Sequence, residues 1–201
     1  MYEPSEECIT DFWTTGVLKN LPVLSLNPNF IKAASQLRES CSDNNACGKN
    51  LREDYSRLFD GEAPTLAPAY ESLYNKKSER TIDNNASVSE FYKLYGWESK
   101  FKGIINDDHL GVELLFLTRL IDKYLVLDDE PSCGEMKKEI QRFIDQHILS
   151  WIPEWNKMVQ VHSSTLCFKG IGTLILACSE DIFSICDQNQ LPENSAIELK
   201  N

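Results

Sequence analysis

The sequence predicts an all-α fold, a single helical bundle-like domain of about seven to ten helices. Apolar residues recur at spacings of three and four over long stretches, the period of an α-helix with one buried face. Leucine occurs 23 times and valine 7 times, while only 9 glycines and 8 prolines interrupt the 201 residues. Because β-branched residues favour strands, this composition favours helices over a many-stranded sheet.

Three helices are predicted in the amino-terminal part of the chain. Ser5 is a candidate cap for the first helix, whose apolar stripe extends to Val17. A second stripe covers residues 30–37, and a third covers residues 51–59, where Gly61 ends the pattern.

Proline and polar residues mark the loops that follow. Pro64 and Pro68 predict an extended segment, because proline disfavours helical backbone in the residue before it. Residues 75–87 are polar and have no apolar period, so we expect a loop. A short helix is predicted over residues 88–95, closed by Gly96.

The second half of the chain carries the clearest helical pattern. Residues 112–130 contain neither proline nor glycine and predict one long core helix. Another helix is predicted over about residues 134–150. A last continuous helix should run from Pro153, which suits a first turn, to Ile185.

This pattern gives a simple domain organisation. Residues 1–186 are expected to form one helical domain, and residues 187–201 a polar carboxy-terminal tail. The connection at residues 98–106 is a candidate hinge, so the chain is expected to be a monomer or a domain-swapped dimer.

The charge balance is strongly acidic. The chain has 20 Lys and Arg residues against 31 Asp and Glu residues, a net charge of −11. Nucleic acids and anionic membranes are bound largely through Lys and Arg, so neither is an expected partner. An acidic surface favours a basic partner, although acidity that serves only solubility is the simpler interpretation.

Cysteine usage predicts neither a metal site nor a disulfide framework. The seven cysteines are odd in number and contain no C-x-x-C pair, and the spacing of Cys41 and Cys47 does not fit a zinc finger. The first residues are acidic and lack the apolar run of a secretory signal. These features predict a reducing, cytoplasmic location without stable membrane insertion.

No catalytic motif stands out. The three histidines form no H-E-x-x-H pair, and the sequence has no P-loop, no G-x-G-x-x-G and no G-x-S-x-G. Paired Glu-x-x-His motifs of di-iron bundles are also absent. We therefore expect a protein that is not an enzyme and that needs no cofactor.

The densest polar group is Asp107-Asp108-His109 with Glu113, at the start of the long predicted helix. Asn106 or Asp107 is expected to cap this helix, and Asp108 lies where the helix dipole favours an anion. These residues could form an acidic rim for an arginine or a backbone donor. The alternative is a helix cap beside a core histidine, which their spacing alone favours.

Aromatic residues gather near the proline-containing loop, namely Tyr70, Tyr74, Tyr92, Tyr95 and Trp97. They could form a partly exposed groove for an apolar peptide. Ordinary core packing is the competing interpretation.

Four segments, taken in order, resemble motifs of the TorD/DmsD/NarJ family of redox-enzyme maturation chaperones. The segments are Asp54-Tyr55-x-x-Leu58-Phe59, Ala67-Pro68-Ala69-Tyr70-Glu71-Ser72-Leu73-Tyr74, Asp107-Asp108-His109-Leu110-x-x-Glu113-Leu114-x-Phe116 and His147-x-x-x-Trp151-x-Pro153. The chain departs from the family pattern at Ala69, where members often have a second proline, and at Tyr70, where some have tryptophan. It also has Asn106-Asp107 where a proline commonly precedes the Asp-His pair.

The resemblance implies an all-helical cytoplasmic chaperone. Such a protein binds the twin-arginine signal peptide of a molybdopterin-dependent oxidoreductase subunit and delays export of the precursor until the cofactor is inserted. The residues expected to bind the peptide are Tyr70, Ser72, Trp97, Asp107, Asp108, His109 and Glu113. Two alternatives stay open: a nucleotide-binding hydrolase, and an assembly factor that binds the mature part of its client.

Overall fold

Seven α-helices make up most of the chain that the structure, a computed structural model, describes: residues 21, 24–40, 44–60, 64–74 and 88–187. They are α1 (Pro28–Glu39), α2 (Asn44–Tyr55), α3 (Val88–Leu94), α4 (Leu110–Leu125), α5 (Glu130–Phe143), α6 (Ile152–His162) and α7 (Leu166–Cys186). These residues include no strand, and the all-α prediction is confirmed. The first predicted helix at 5–17 and the tail beyond 187 lie outside the described residues.

Three short turns of tighter or wider helix complete the fold. A π-helical turn at Ser56–Asp60 continues α2, and a second at Ile144–Leu149 continues α5. A 3₁₀ turn at Glu71–Leu73 lies in the proline-containing loop. Both π turns carry residues with a role described below, as π turns often do.

Side-chain caps explain where several helices begin. The Asn27 side chain accepts a hydrogen bond from the Asn29 N–H at 2.9 Å and is followed by Pro28. Asp129 accepts from the Ser132 N–H at 2.9 Å at the start of α5. Such caps satisfy N–H groups that have no partner within the helix.

The prediction of one continuous last helix is wrong. Helix α6 ends at His162 and α7 begins at Leu166. The cause is Asp54 in α2, which accepts hydrogen bonds from Ser163, Ser164 and Thr165 in the intervening turn. The long core helix expected in the stretch without proline or glycine at residues 112–130 is α4, which ends at Leu125.

An aromatic cluster forms the centre of the core. Phe143 of α5 lies 5.0 Å from Phe116 of α4 and 5.2 Å from Phe91 of α3, between ring centroids. Its members, together with Trp151, are almost fully buried. Burial of such large apolar surfaces is the main term that stabilises the fold.

Helix α1 packs closely against α7 through a glycine. A Cβ atom at Gly170 would lie 2.6 Å from Leu37 Cγ, so the close approach of the two helices requires glycine here.

Within the described residues, no helix combines the length and the apolar character that a membrane span requires.

Candidate functional site

A cavity of about 630 Å³ lies between the Glu71–Leu73 turn, the start of α3 and the connection that precedes α4. Its wall includes Ser72, Asp107 and Asp108, three of the residues expected at the binding site. Glu71 and His147, which were not expected there, also line it. The cavity therefore joins segments that are far apart in sequence.

Backbone pairing explains why the loop and the start of α4 meet. The Glu71 N–H donates to the Asp108 carbonyl at 2.9 Å, and the Leu110 N–H donates to the Ala69 carbonyl at 3.0 Å. Tyr70 and His109 thereby form an isolated antiparallel bridge, and their rings pack edge to face at 5.0 Å. Main-chain hydrogen bonds thus hold these two segments, which were both expected at the binding site, next to each other.

Both aspartates are tied to neighbouring segments through one carboxylate oxygen. Asp107 Oδ2 accepts from the Ser89 hydroxyl at 2.7 Å, and Asp108 Oδ2 accepts from the Ser72 N–H at 3.2 Å. Within the described chain, the Oδ1 atoms make no hydrogen bond that competes with a ligand. Each aspartate is half-buried, so it keeps access to the cavity while its position is fixed.

His109 caps α4, where Asn106 or Asp107 was expected. Its Nδ1 atom accepts from the Gly111 N–H at 3.0 Å, which places the ring proton on Nε2. The bridge to Tyr70 holds His109 in extended backbone with ψ of 133°, so the helix cannot begin before Leu110. Burial lowers the pKa of His109 below its ordinary value.

Glu113 lies behind the cavity wall and not on it. Its side chain is fully buried and its Oε2 atom accepts from Trp151 Nε1 at 3.3 Å. Burial, the negative charge of Glu71 and a hydrogen bond with that side chain raise the pKa of Glu113 well above its usual value. The carboxyl group therefore keeps its proton to a higher pH than an ordinary glutamate does.

Glu71 also contacts a histidine. Glu71 Oε2 lies 3.1 Å from His147 Nδ1, and both residues are buried and line the cavity. His147 lies in the π turn that continues α5, and its carbonyl accepts from Trp151 Nε1 at 2.7 Å. Glu113, Glu71 and His147 thus form one buried polar group, here called the acid–histidine cluster.

The aromatic residues mostly pack as core. Tyr74 stacks on Trp151 at 5.5 Å, and Trp97 lies 4.7 Å from Tyr92 and 5.3 Å from Phe116, between ring centroids. Tyr92 is buried and its hydroxyl donates to the Asp107 carbonyl at 3.0 Å. Trp97 does not line the cavity; it contacts Tyr92, whose hydroxyl bonds to the backbone of Asp107.

The apolar part of the cavity comes from Val88, Ile104 and Ile105. Ile104 is 69% exposed, which leaves an apolar edge beside the two aspartates. Gly103 has φ of 79°, a conformation that favours glycine and lets the connection turn at the rim. The site combines negative charge with an accessible apolar edge.

Comparison with known proteins agrees with this arrangement of motifs. Residues 25–157 match the family model described as nitrate reductase delta subunit. The chain belongs to this family. The resemblance seen in the sequence to the TorD/DmsD/NarJ chaperones is thereby confirmed.

Curated relatives carry the name of a chaperone. The chain is 32% identical over 133 residues to Chaperone protein TorD of Actinobacillus pleuropneumoniae serotype 3 (strain JL03), and equally to that of serotype 7 (strain AP76). These matches cover 63% of this chain and 58% of each relative. Chaperone protein TorD of Aliivibrio salmonicida (strain LFI1238) is 28% identical over 109 residues, 54% of this chain and 51% of the relative.

The chain therefore spans little more than half the length of the curated relatives it matches. No solved structure matches it significantly.

Among the described residues, no three His, Cys, Asp or Glu side chains are placed to hold a metal ion. The prediction for Cys41 and Cys47 falls outside the described side chains.

Proposed function

We propose that the chain is a cytoplasmic chaperone that binds the twin-arginine signal peptide of a molybdopterin-dependent oxidoreductase subunit. It would hold back export of the precursor until the cofactor is inserted. Family membership and the chaperone name of the relatives support this class of protein. The observation that carries the proposal is the cavity with negative charge on its wall and an apolar edge.

The two halves of the cavity wall complement the two parts of a signal peptide. Asp107 and Asp108 offer carboxylate oxygens to basic residues, with which charged hydrogen bonds form. Ile104 and Ile105 offer apolar surface to the hydrophobic segment that follows the arginines. The net charge of −11 favours encounter with a basic peptide.

A nucleotide is a poor fit for the same cavity. Glu71, Asp107 and Asp108 on its wall repel phosphate groups. Lys102 is the cation among the described lining residues, and its ammonium group is paired with Glu98. The electrostatics thus favour a cationic ligand over a nucleotide.

Titration of the full chain with a synthetic twin-arginine signal peptide tests the proposal. Asp108→Asn keeps an oxygen for the Ser72 N–H but removes the charge, so affinity should fall by roughly ten- to a hundredfold with little change in melting temperature. Asp128→Asn, an exposed residue in the α4–α5 turn, is the matched control and should bind as the wild type does.

Salt provides a second readout of the same contact. Affinity should fall as ionic strength rises from about 0.01 M to about 1 M, because the Debye length shrinks from about 30 to 3 Å. If the signal peptide does not bind while a peptide from the mature part of the client does, the proposal fails in favour of an assembly factor.

A further inference from the structure

A buried, unpartnered nitrogen belongs to a side chain that lines the cavity. His147 is 2% exposed and lines the cavity, yet its Nε2 atom has no hydrogen-bond partner among the described residues. Buried polar side-chain atoms are mostly hydrogen-bonded, so an exception of this kind calls for an explanation. A ligand atom in the cavity would supply the missing partner.

The contact with Glu71 decides what Nε2 can do. A carboxylate oxygen at 3.1 Å from Nδ1 accepts the ring proton, so the neutral imidazole carries its proton on Nδ1. Nε2 then has a lone pair and accepts a hydrogen bond. The missing partner is therefore a donor.

The ring cannot easily turn away from this role. It packs at 5.7 Å from Phe91 and at 5.4 Å from Phe143, between ring centroids. Glu71 is fixed in turn, because its backbone N–H is bonded to Asp108. The acceptor is thus preorganised before any ligand binds.

We propose that His147 Nε2 accepts a hydrogen bond from an arginine guanidinium of the bound peptide, and that this contact makes the site select arginine over lysine. The inference rests on the proposed function and adds the residue pair that sets its specificity. Asp107 and Asp108 on the wall neutralise the charge, while the contact with Glu71 sets the tautomer of the neutral imidazole in which Nε2 accepts.

The chemistry of the two basic side chains explains the selection. A guanidinium group presents five N–H donors in a rigid plane, so it can engage the histidine acceptor and a carboxylate on the wall together. A lysine ammonium is a compact, strongly hydrated charge that a carboxylate and water can satisfy. The histidine acceptor is useful chiefly to the larger, planar group.

The experiment compares two synthetic signal peptides, one with the arginine pair and one with a lysine pair, at about pH 8, where imidazole is ordinarily neutral. The wild-type chain should prefer the arginine peptide by about tenfold or more, the range expected for a charged hydrogen bond. His147→Asn keeps a donor for Glu71 but has no atom at the Nε2 position, so the ratio of affinities should fall to about one.

Two further variants make the result specific. His147→Gln places an amide oxygen near the position of Nε2 and should retain part of the preference. His162→Asn makes the same change of residue type at the end of α6, away from the cavity, and should leave the preference intact.

Equal wild-type affinities for the two peptides, or a preference that survives His147→Asn, would overturn the inference while leaving the proposed function in place. If neither peptide binds to the wild-type chain, both proposals are wrong. If His147→Asn does not fold, the wild-type ratio and the His147→Gln variant still decide the question.

Discussion

Asp54 and Glu113 are two buried acidic residues whose pKa values shift in opposite directions. Asp54 is 1% exposed and Glu113 is fully buried, so desolvation opposes the ionisation of both carboxyl groups. Asp54 accepts hydrogen bonds from Ser163, Ser164 and Thr165, and also pairs with Arg57 at 2.7 Å. Glu113 receives one from Trp151 and has another acid as neighbour.

The ionisation states follow from the number of donors. Although burial opposes it, the hydrogen bonds from residues 163–165 and from Arg57 lower the pKa of Asp54 to about 2. Glu113 has too few donors to offset burial, and its pKa rises. Burial alone therefore does not decide the charge of an acid; the donors that the fold places around it do.

The comparison of Asp54 with Glu113 also distinguishes a structural contact from a candidate binding site. The Asp54 carboxylate accepts from two hydroxyl groups and two backbone N–H groups of the 163–165 turn, so its oxygens are already occupied by structural hydrogen bonds. Around the acid–histidine cluster, His109 Nε2, Glu113 Oε1 and His147 Nε2 have no partner among the described residues. Of these three residues, His147 lines the cavity, so unused hydrogen-bonding capacity lies next to a space that a ligand could occupy.

Removing Asp54 gives the largest expected effect. Asp54→Ala leaves the donors of the 163–165 turn and Arg57 without their acceptor, so the free energy of unfolding should fall by about 3–5 kcal/mol. Urea denaturation measures it. Asp145→Ala, at an exposed position, should change stability by less than about 0.5 kcal/mol. A loss of only that size at Asp54 would show that water replaces the carboxylate without cost.

This turn also shows where sequence analysis reaches its limit. The helical periodicity of residues 153–185 is real, and both α6 and α7 lie within it. The break between them depends on a carboxylate 109 residues away, which no local pattern reports. A helix end that depends on a single long-range contact cannot be predicted from the local sequence.

The candidate site divides in the same way. Ser72, Asp107 and Asp108 were expected and lie on the cavity wall, because the motifs that contain them sit next to loops. Glu71 and His147 were missed as site residues, since their contact joins positions 76 residues apart. Each lies inside a segment that resembles a family motif, and that was the available signal.

The loss of stability at low pH is expected to depend on Asp54. Its folded pKa of about 2 is below the value of 3.8 in an unfolded chain, so its contribution is present above about pH 3.8 and is lost as pH falls toward 2. Asp54→Asn cannot ionise and should flatten the dependence of stability on pH in this range, with a smaller loss at neutral pH than Asp54→Ala. Thermal melts between about pH 2 and pH 6 measure the slope; an unchanged slope in the variant would assign the loss at low pH to other carboxylates.

The smallest effect, and the one that tests the comparison most directly, is expected for Glu113→Gln. The folded pKa of Glu113 is raised above its ordinary value of 4.5, so the stability tied to its neutral form is fully present below that value and is lost as pH rises through the folded pKa. Glutamine copies the neutral acid: its oxygen accepts from Trp151 and its amide donates toward Glu71. The variant should therefore stay within about 1 kcal/mol of the wild type at about pH 5 and become the more stable of the two as pH rises. Glu135→Gln, an exposed position on α5, is the control and should track the wild type throughout. A loss of about 2 kcal/mol or more at every pH would mean that Glu113 is charged in the folded chain, and the contrast with Asp54 would disappear.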